Sequence, residues 1–368
     1  MRAKNLMPKS VHVKLPAPRY ADADLMEFLN QNQAYTILQP GIDIVSNAFV
    51  SHYGLVSKFG VLNRHCMPNQ FPPNDIPQFW NFQKEVAFQE AVCRFGSSLK
   101  VRKLEPGQSY LLIHHKWFGY FFWMTCYMPR LLRAMDANLS PAPKLLVSNR
   151  WRNFEYVSSS LSTCPLDVEC LDLDEHAFVS RVILPHARKA TSFLNPAEIQ
   201  RVVQHFLSAF EIQPQPPTRK IWIHRSEKSR RALLNEDEVL AAVQKAGFEP
   251  IVFETLTLKQ QIELMQQTKV LAGLHGAGLT NLMFLPANST VLECMPEEFA
   301  AYAHPFPYRA LAHACSVQYM VTGMAESNIQ FDWIKPKNAS PEIRRQLVNA
   351  PRILSTQKLT SALSAIDA

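Results

Sequence analysis

Between residues 220 and 321, short and almost wholly apolar strands alternate with helices, and this alternation constrains the fold more than any other feature of the chain. Residues 220–224, 250–253, 270–274, 290–294 and 317–321 read as strands. Helices fall between them at 235–246, 257–268 and 279–284, and at 299–315 with an interruption near Pro305 and Pro307. Asn235 suits an N-cap, Glu236, Asp237 and Glu238 put negative charge in the first turn, and Gly247 stands just past the last. Thr257 or its neighbour Thr255 caps the next helix. Strands without polar alternation are buried on both faces, so the pattern predicts an α/β domain, a doubly wound parallel sheet covered by helices. Ligands on such sheets bind beyond the carboxyl ends of the strands. That rule selects the loops after His224, Leu274 and Glu293.

The first half of the chain is less regular. Prolines are frequent, and two pieces read clearly: a strand at 109–114 with a loop and an aromatic-rich helix at 117–135, and a strand at 144–147. Pro214, Pro216 and Pro217 stiffen the chain and suggest a linker. The chain's 368 residues suffice for two cores. The predicted division is an acceptor-side domain at 1–213, a nucleotide-binding domain at 214–345, and a C-terminal helix at 346–368 packing back on the first domain.

Composition enters by what it excludes. A chain 47% hydrophobic and 19% charged is not a disordered scaffold. Its formal charge of +7 suits an anionic ligand or a membrane surface. No Lys/Arg block interleaved with aromatics marks a nucleic-acid partner. The seven cysteines are odd in number and form no C-x-x-C pair, so neither a disulfide framework nor a zinc site is expected. Residues 1–20 lack the apolar core of a signal peptide. The most apolar stretch, 117–132, is broken by Gly119, Pro129 and Arg130 and falls short of a membrane span. The expectation is a cytoplasmic protein, with peripheral association at the inner face of the membrane open to it.

The three selected loops differ in chemistry. After residue 274 come His275, Gly276, Ala277, Gly278 and Leu279. The glycines allow close approach of a ligand or positive φ, and the helix behind them offers free amides to an anion. The spacing is neither G-x-G-x-x-G nor a Walker loop, so neither a dehydrogenase nor a P-loop enzyme is indicated. After residue 224 come Arg225, Ser226, Lys228, Arg230 and Arg231, cations of the kind that match a diphosphate. Arg225 is the better candidate for the phosphates and Arg231 for bracing the loop. Glu293 can accept the two hydroxyls of a ribose, or it caps the next helix.

The region from residue 220 to 296 resembles glycosyltransferase family 61, in the bacterial form that builds envelope polysaccharides. The matching pieces are Arg225-Ser226, the Arg-Arg pair before Asn235-Glu236, Gly247-Phe248-Glu249, Gln260-Gln261-Ile262, the run His275-Gly276-Ala277-Gly278-Leu279-Thr280-Asn281, and the strand ending at Glu293. Upstream, Tyr120 to Trp123 and Pro129-Arg130 resemble the family's tyrosine-x-histidine-tryptophan helix and its proline-arginine pair, with Phe122 in the histidine's place. The resemblance implies a GT-B architecture, two Rossmann-like domains facing a central cleft. It also implies inversion at the sugar carbon and no obligatory metal or other cofactor.

The resemblance therefore implies an inverting transfer of a sugar from a nucleoside-diphosphate sugar to a glycan or other hydroxyl acceptor, in capsule or lipopolysaccharide synthesis. Arg225 and His275 serve the diphosphate. Ser226, Arg230, Arg231, Gly276, Ala277 and Gly278 serve the donor, together with Leu279, Thr280, Asn281 and Glu293. Tyr120, Trp123 and Arg130 form the acceptor side, although a core tryptophan is the plainer reading of Trp123. The base is not identified; His115 and Asp136 are the candidates. The rival readings are a catalytically impaired relative that binds nucleotide or glycan, and a phosphate-ester hydrolase or phosphotransferase.

Overall fold

A computed structural model of the chain describes residues 10–31, 33–38, 40–67, 76–96, 99–187, 193–225, 233–296, 306–324 and 352–367. The chain divides into two compact units. One comprises Met1–Val11, Thr36–Phe193 and Gln204–Phe206; the other comprises His12–Tyr35, Leu194–Val203 and Leu207–Ala368.

The first unit holds an eight-stranded sheet among the described residues. Val168–Leu171, Lys144–Ser148, Ser109–Leu112 and Glu175–Pro185 lie side by side in that order, all parallel. Ile42–Val50 pairs antiparallel with the last of them. The chain moves outward from Ser109–Leu112, then returns to its other flank at Glu175–Pro185, so the strand order reverses between these two. The aromatic-rich helix is the run 120–136, which widens to a π-turn at Trp123–Tyr127. Trp123, Met124, Tyr127, Met128 and Leu131 are fully buried along it.

The second unit holds a six-stranded sheet, parallel throughout: Glu249–Val252, Arg219–His224, Thr268–Leu274, Thr290–Pro296, Gln318–Met324 and Tyr20–Ala21. Five of these strands follow the predicted alternation. The sixth comes from the beginning of the chain. Asp22 fastens it, accepting from Thr322 Oγ1 at 3.0 Å and from the Gly323 amide at 2.6 Å. Arg309, itself buried, donates to the carbonyls of Pro16 and Leu29. These bonds draw residues 12–35 into the second unit, which the expected boundary at residue 213 does not allow for. Pro214, Pro216 and Pro217 lie in an irregular stretch inside this unit, before Arg219–His224, and do not mark the division between the units.

The helix boundaries are close to those predicted. Glu236–Lys245 ends at Gly247, whose φ of 82° is the left-handed conformation that glycine adopts freely. Leu258–Gln266 begins at a capping box made by Thr257 and Gln260. Asn235 occupies the N-cap position, but its side chain does not cap. It donates to the Leu354 carbonyl at 2.9 Å and accepts from the Leu354 amide at 3.2 Å, clasping a distant segment instead. Pro307–Ala314 is the part of the predicted 299–315 helix that is described, with Pro307 at its start. The C-terminal helix Thr356–Asp367, expected to pack back on the first domain, belongs to the second unit and packs there on Glu236–Lys245 and Gln318–Met324. Leu359, Ala362, Leu363 and Ile366 bury against Val239, Val243 and Met320, an apolar stripe that satisfies the sheet face.

All seven cysteines are free thiols, five of them buried. Among the described residues, no helix is long and apolar enough to cross a membrane.

Candidate functional site

In the second unit the strand order reverses between Arg219–His224 and Thr268–Leu274, so the loops that follow them leave the sheet side by side. Arg225 joins the two loops, donating from Nη2 to the His275 carbonyl at 2.7 Å and more weakly to that of Leu274 at 3.4 Å. The glycines make the approach possible. A Cβ on Gly273 would lie 3.0 Å from Ile223 Cβ, and one on Gly278 would lie 3.1 Å from Ile223 Cγ2. Gly276 is extended, with φ 168°, so close packing and not left-handed backbone is what this loop asks of its glycines. The chain then enters the 3-10 helix Ala277–Phe284, whose first amides have no acceptor within the helix.

His275 is the polar centre of the loop. Its Nδ1 bonds Glu293 Oε1 across the neighbouring strand, and its ring meets that of Tyr308 edge-on at 5.4 Å. Glu293 is fully buried, and its other oxygen accepts from Tyr319 Oη at 2.5 Å. A carboxylate only accepts, so Nδ1 of His275 carries a proton. Burial, with the Glu293 charge beside it, raises Tyr319 well above the ordinary tyrosine range, so the phenol keeps its proton. Tyr308 donates to the Gly276 carbonyl at 2.6 Å and fixes the turn from the other side.

This arrangement sorts the predicted residues. His275, Gly276, Ala277 and Gly278 reach the surface, and Arg225 is half-buried beside them. Leu279, Thr280 and Asn281 are fully buried and face the interior. Asn281 donates to Gln261 at 2.9 Å, and Gln261 in turn donates to the Phe253 and Leu256 carbonyls, so these residues brace the loop from below. Glu293 likewise faces inward with both oxygens engaged; it orients His275 and is not placed to take ribose hydroxyls. Ser226, Arg230 and Arg231 lie outside the described residues.

The first unit revises the acceptor assignments. Trp123 is fully buried and donates from Nε1 to Ser160 Oγ at 3.0 Å, which makes it a core residue and not a stacking surface. Arg130 is buried as well; it donates to the carbonyls of Pro185 at 2.7 Å and of Ile113, tying two strand ends together. His115 is buried, with Nδ1 at 2.9 Å from Tyr127 Oη and Nε2 at 3.5 Å from Cys126 Sγ. Both nitrogens are thus used inside the protein, which removes it as a base. Asp136 is exposed at the end of its helix. Tyr120 and Phe122 are half-buried, Tyr120 against Tyr156 and Phe122 against His115.

Sequence reasoning missed Tyr308 and Tyr319. The register gives a signal for the second: Val321 pairs with Glu293, and Tyr319, two residues earlier, shares its face of the sheet. It also missed Asp43, His65 and His186. These three stand together in the first unit, their ligand-type atoms within 4.8 Å of one another.

Comparison with known proteins bears on the same loops. Residues 120–292 match the Glycosyltransferase 61 family. The match covers a little under half of the chain and contains both Arg225 and the His275 loop. A Drosophila melanogaster protein named EGF domain-specific O-linked N-acetylglucosamine transferase is 34% identical over 121 residues, 32% of this chain and 22% of the relative. An Oryza sativa alpha-1,3-arabinosyltransferase is 28% identical over 163 residues, 39% of this chain and 28% of the relative. An Oryza sativa beta-1,2-xylosyltransferase is 32% identical over 94 residues, 25% of this chain and 20% of the relative. The chain thus spans between a fifth and a little over a quarter of the length of these relatives. They transfer three different sugars by name, so what these relatives have in common is glycosyl transfer and not a particular donor.

Proposed function

We propose that the protein is a glycosyltransferase that takes its sugar from a nucleoside-diphosphate sugar and gives it to a hydroxyl acceptor with inversion. The observation that carries this reading is the junction of two loops at the strand reversal of a parallel sheet. There His275, a half-buried Arg225 and the opening amides of Ala277–Phe284 converge, and the relatives matching this region are sugar transferases by name. The diphosphate leaves with its negative charge. The Arg225 guanidinium and the helix amides supply donors where that charge develops, with the His275 ring beside them. The buried Glu293 holds the imidazole in register for this and adds a compensating negative charge behind it. Protein cations and amides do this work without a divalent metal, which is part of the proposal.

The test is a melting curve with UDP, GDP and their sugar conjugates in excess chelator. At a ligand concentration about 100-fold above its dissociation constant, binding adds roughly 2.7 kcal/mol of stability. Arg225→Ala and His275→Ala are each expected to remove that stabilisation in large part. Stabilisation that vanishes in chelator and returns with Mg²⁺ or Mn²⁺ rules out the metal-free form of the reading. Absence of binding to every conjugate rules out the reading itself.

A further inference from the structure

The first unit carries an exposed apolar face that the proposed transfer does not use. The helix Ile76–Phe95 already has a core side, where Val86 is fully buried and Phe82 and Cys93 pack beside it. Lys84, Phe88, Ala91 and Phe95 recur at the spacing that shares one helix face, and all four are exposed. Phe88 is 69% exposed and Phe95 87%, and the exposed Trp80 continues the stripe toward the helix start. The helix therefore bears a second apolar stripe beyond the one its core requires.

The hairpin turn between Val56–Lys58 and Val61–Leu62 sits against the same helix. Glu90 accepts from Ser57 Oγ at 2.6 Å and from the amides of Phe59 and Gly60 at 3.1 and 2.8 Å. Gln83 accepts from the Leu62 amide at 2.9 Å and donates to the Gly60 carbonyl. A Cβ on Gly60 would lie 3.5 Å from Ala87 Cβ. Gln83, Ala87 and Glu90 each precede a member of the exposed stripe, so turn and stripe adjoin on neighbouring faces of the helix. The turn presents Phe59, 77% exposed, and Val61, 68% exposed. Its central residues, Phe59 and Gly60, have φ of 52° and 75°. Asn-Gly suits such a turn, whereas the Cβ of a phenylalanine strains it. The ring gains almost no burial in return, so neither folding nor solvation accounts for it.

The charges beside these rings are positive. Lys58 Nζ lies 5.7 Å and Arg94 Cζ 5.9 Å from the Phe59 ring centroid, and Lys84 stands within the stripe. The helix's two carboxylates do not reach this surface unpaired. Glu90 is buried under the turn and bonded to Arg94 at 2.7 Å, and Glu85 pairs with Lys116 at 3.0 Å. We propose that this face docks the protein on an anionic bilayer surface, with Phe59, Phe88 and Phe95 at the acyl boundary and Lys58, Lys84 and Arg94 among the lipid phosphates. Aromatic rings interleaved with basic side chains match an interface that is apolar beneath and negatively charged above. A second copy of the chain fits less well, because a two-fold pairing brings the same cations together from both sides. This face belongs to the first unit alone, and its docking is independent of the function proposed above.

The test is co-sedimentation of the full chain with vesicles of phosphatidylglycerol and phosphatidylcholine in equal parts, and with vesicles of phosphatidylcholine alone. Binding is expected to the mixed vesicles, with weaker binding to the neutral ones and partial loss of affinity when salt screens the cations. Phe88→Ser and Phe95→Ser should each weaken binding to the mixed vesicles on the order of tenfold, since each removes one ring from the boundary. Their urea midpoints should equal that of the wild type, which separates loss of binding from loss of fold. Phe59→Asn should also weaken binding while its urea midpoint stays level or rises, because asparagine suits the turn. Wild-type protein that stays in solution beside the mixed vesicles at low salt overturns the proposal. Binding that both serine variants retain in full also overturns it, and assigns the attraction to the chain's overall positive charge. A lipid-free dimer in velocity sedimentation that becomes a monomer in Phe88→Ser overturns it in favour of contact between copies.

Discussion

Glu293 receives a proton donor on each oxygen, from His275 on one side and Tyr319 on the other, with no water exposure of its own. A buried carboxylate that loses one partner is costly to keep. Tyr319→Phe should lower stability by about 1–3 kcal/mol, read as a shift in the urea midpoint. It should also weaken the hold on the His275 ring, so that donor turnover falls while the donor-induced melting shift survives. A Tyr319→Phe protein with unaltered midpoint would show that Glu293 finds its second donor elsewhere. Trp123→Ala should cost about 3–5 kcal/mol, the usual penalty for emptying a large buried site. The same measurement decides whether Trp123 is core, as its burial says. His275 was legible in the sequence because glycines flank it at a strand end. Tyr319 was not, because its link to Glu293 crosses strands and no local pattern announces it. Thr280 and Asn281 misled for a related reason: a motif records which residues a loop needs without saying which of them face the ligand.

At the scale of elements, the two loops of the site depend on contact between one isoleucine and two glycines. Gly278→Ala drives a methyl against Ile223 Cγ2 and should destabilise the unit by about 1–3 kcal/mol. In an Ile223→Ala background the same substitution should cost clearly less, a coupling that a double-mutant cycle in urea measures. Equal costs in both backgrounds would mean that the glycine is required for another reason. Thr257→Ala, which opens the capping box of Leu258–Gln266, should cost about 1 kcal/mol. The helix it starts carries Gln261, the brace beneath Asn281, so donor affinity should weaken along with stability. Strands and caps in this unit were readable because each is set by residues a few positions apart. The role of Asn235 was not: its position is that of a cap, yet its amide is taken by Leu354, 119 residues away.

At the scale of the whole molecule, two buried histidines make folding sensitive to acid. Burial, with Arg130 nearby, lowers His114 from its ordinary 6.5 to about 3. Burial, with His52 beside it, lowers His176 to about 4. The unfolded chain protonates these groups below pH 6.5 while the native protein does not. The stability they permit is therefore complete above that pH and is lost as the pH falls toward 3 or 4. Each group contributes a slope of up to about 1.4 kcal/mol per pH unit inside its window. Urea midpoints at pH 7.5 and pH 5 should differ less in His114→Leu than in wild type; equal differences would acquit His114. Domain boundaries were the least legible property, because proline content suggested a linker at 214–217, whereas membership of a unit is decided by partners such as Arg309 and Asp22. The pairing of Tyr20–Ala21 with Gln318–Met324 also bears on how the chain comes to be folded. During synthesis the edge strand emerges first and must wait for about 300 residues of chain before its neighbour exists, so this closure is late and entropically expensive. In pulse-labelled hydrogen exchange, the amides at that edge should be the last of the sheet to gain protection. Until they do, the open side of Gln318–Met324 is the surface most exposed to chaperones and to aggregation.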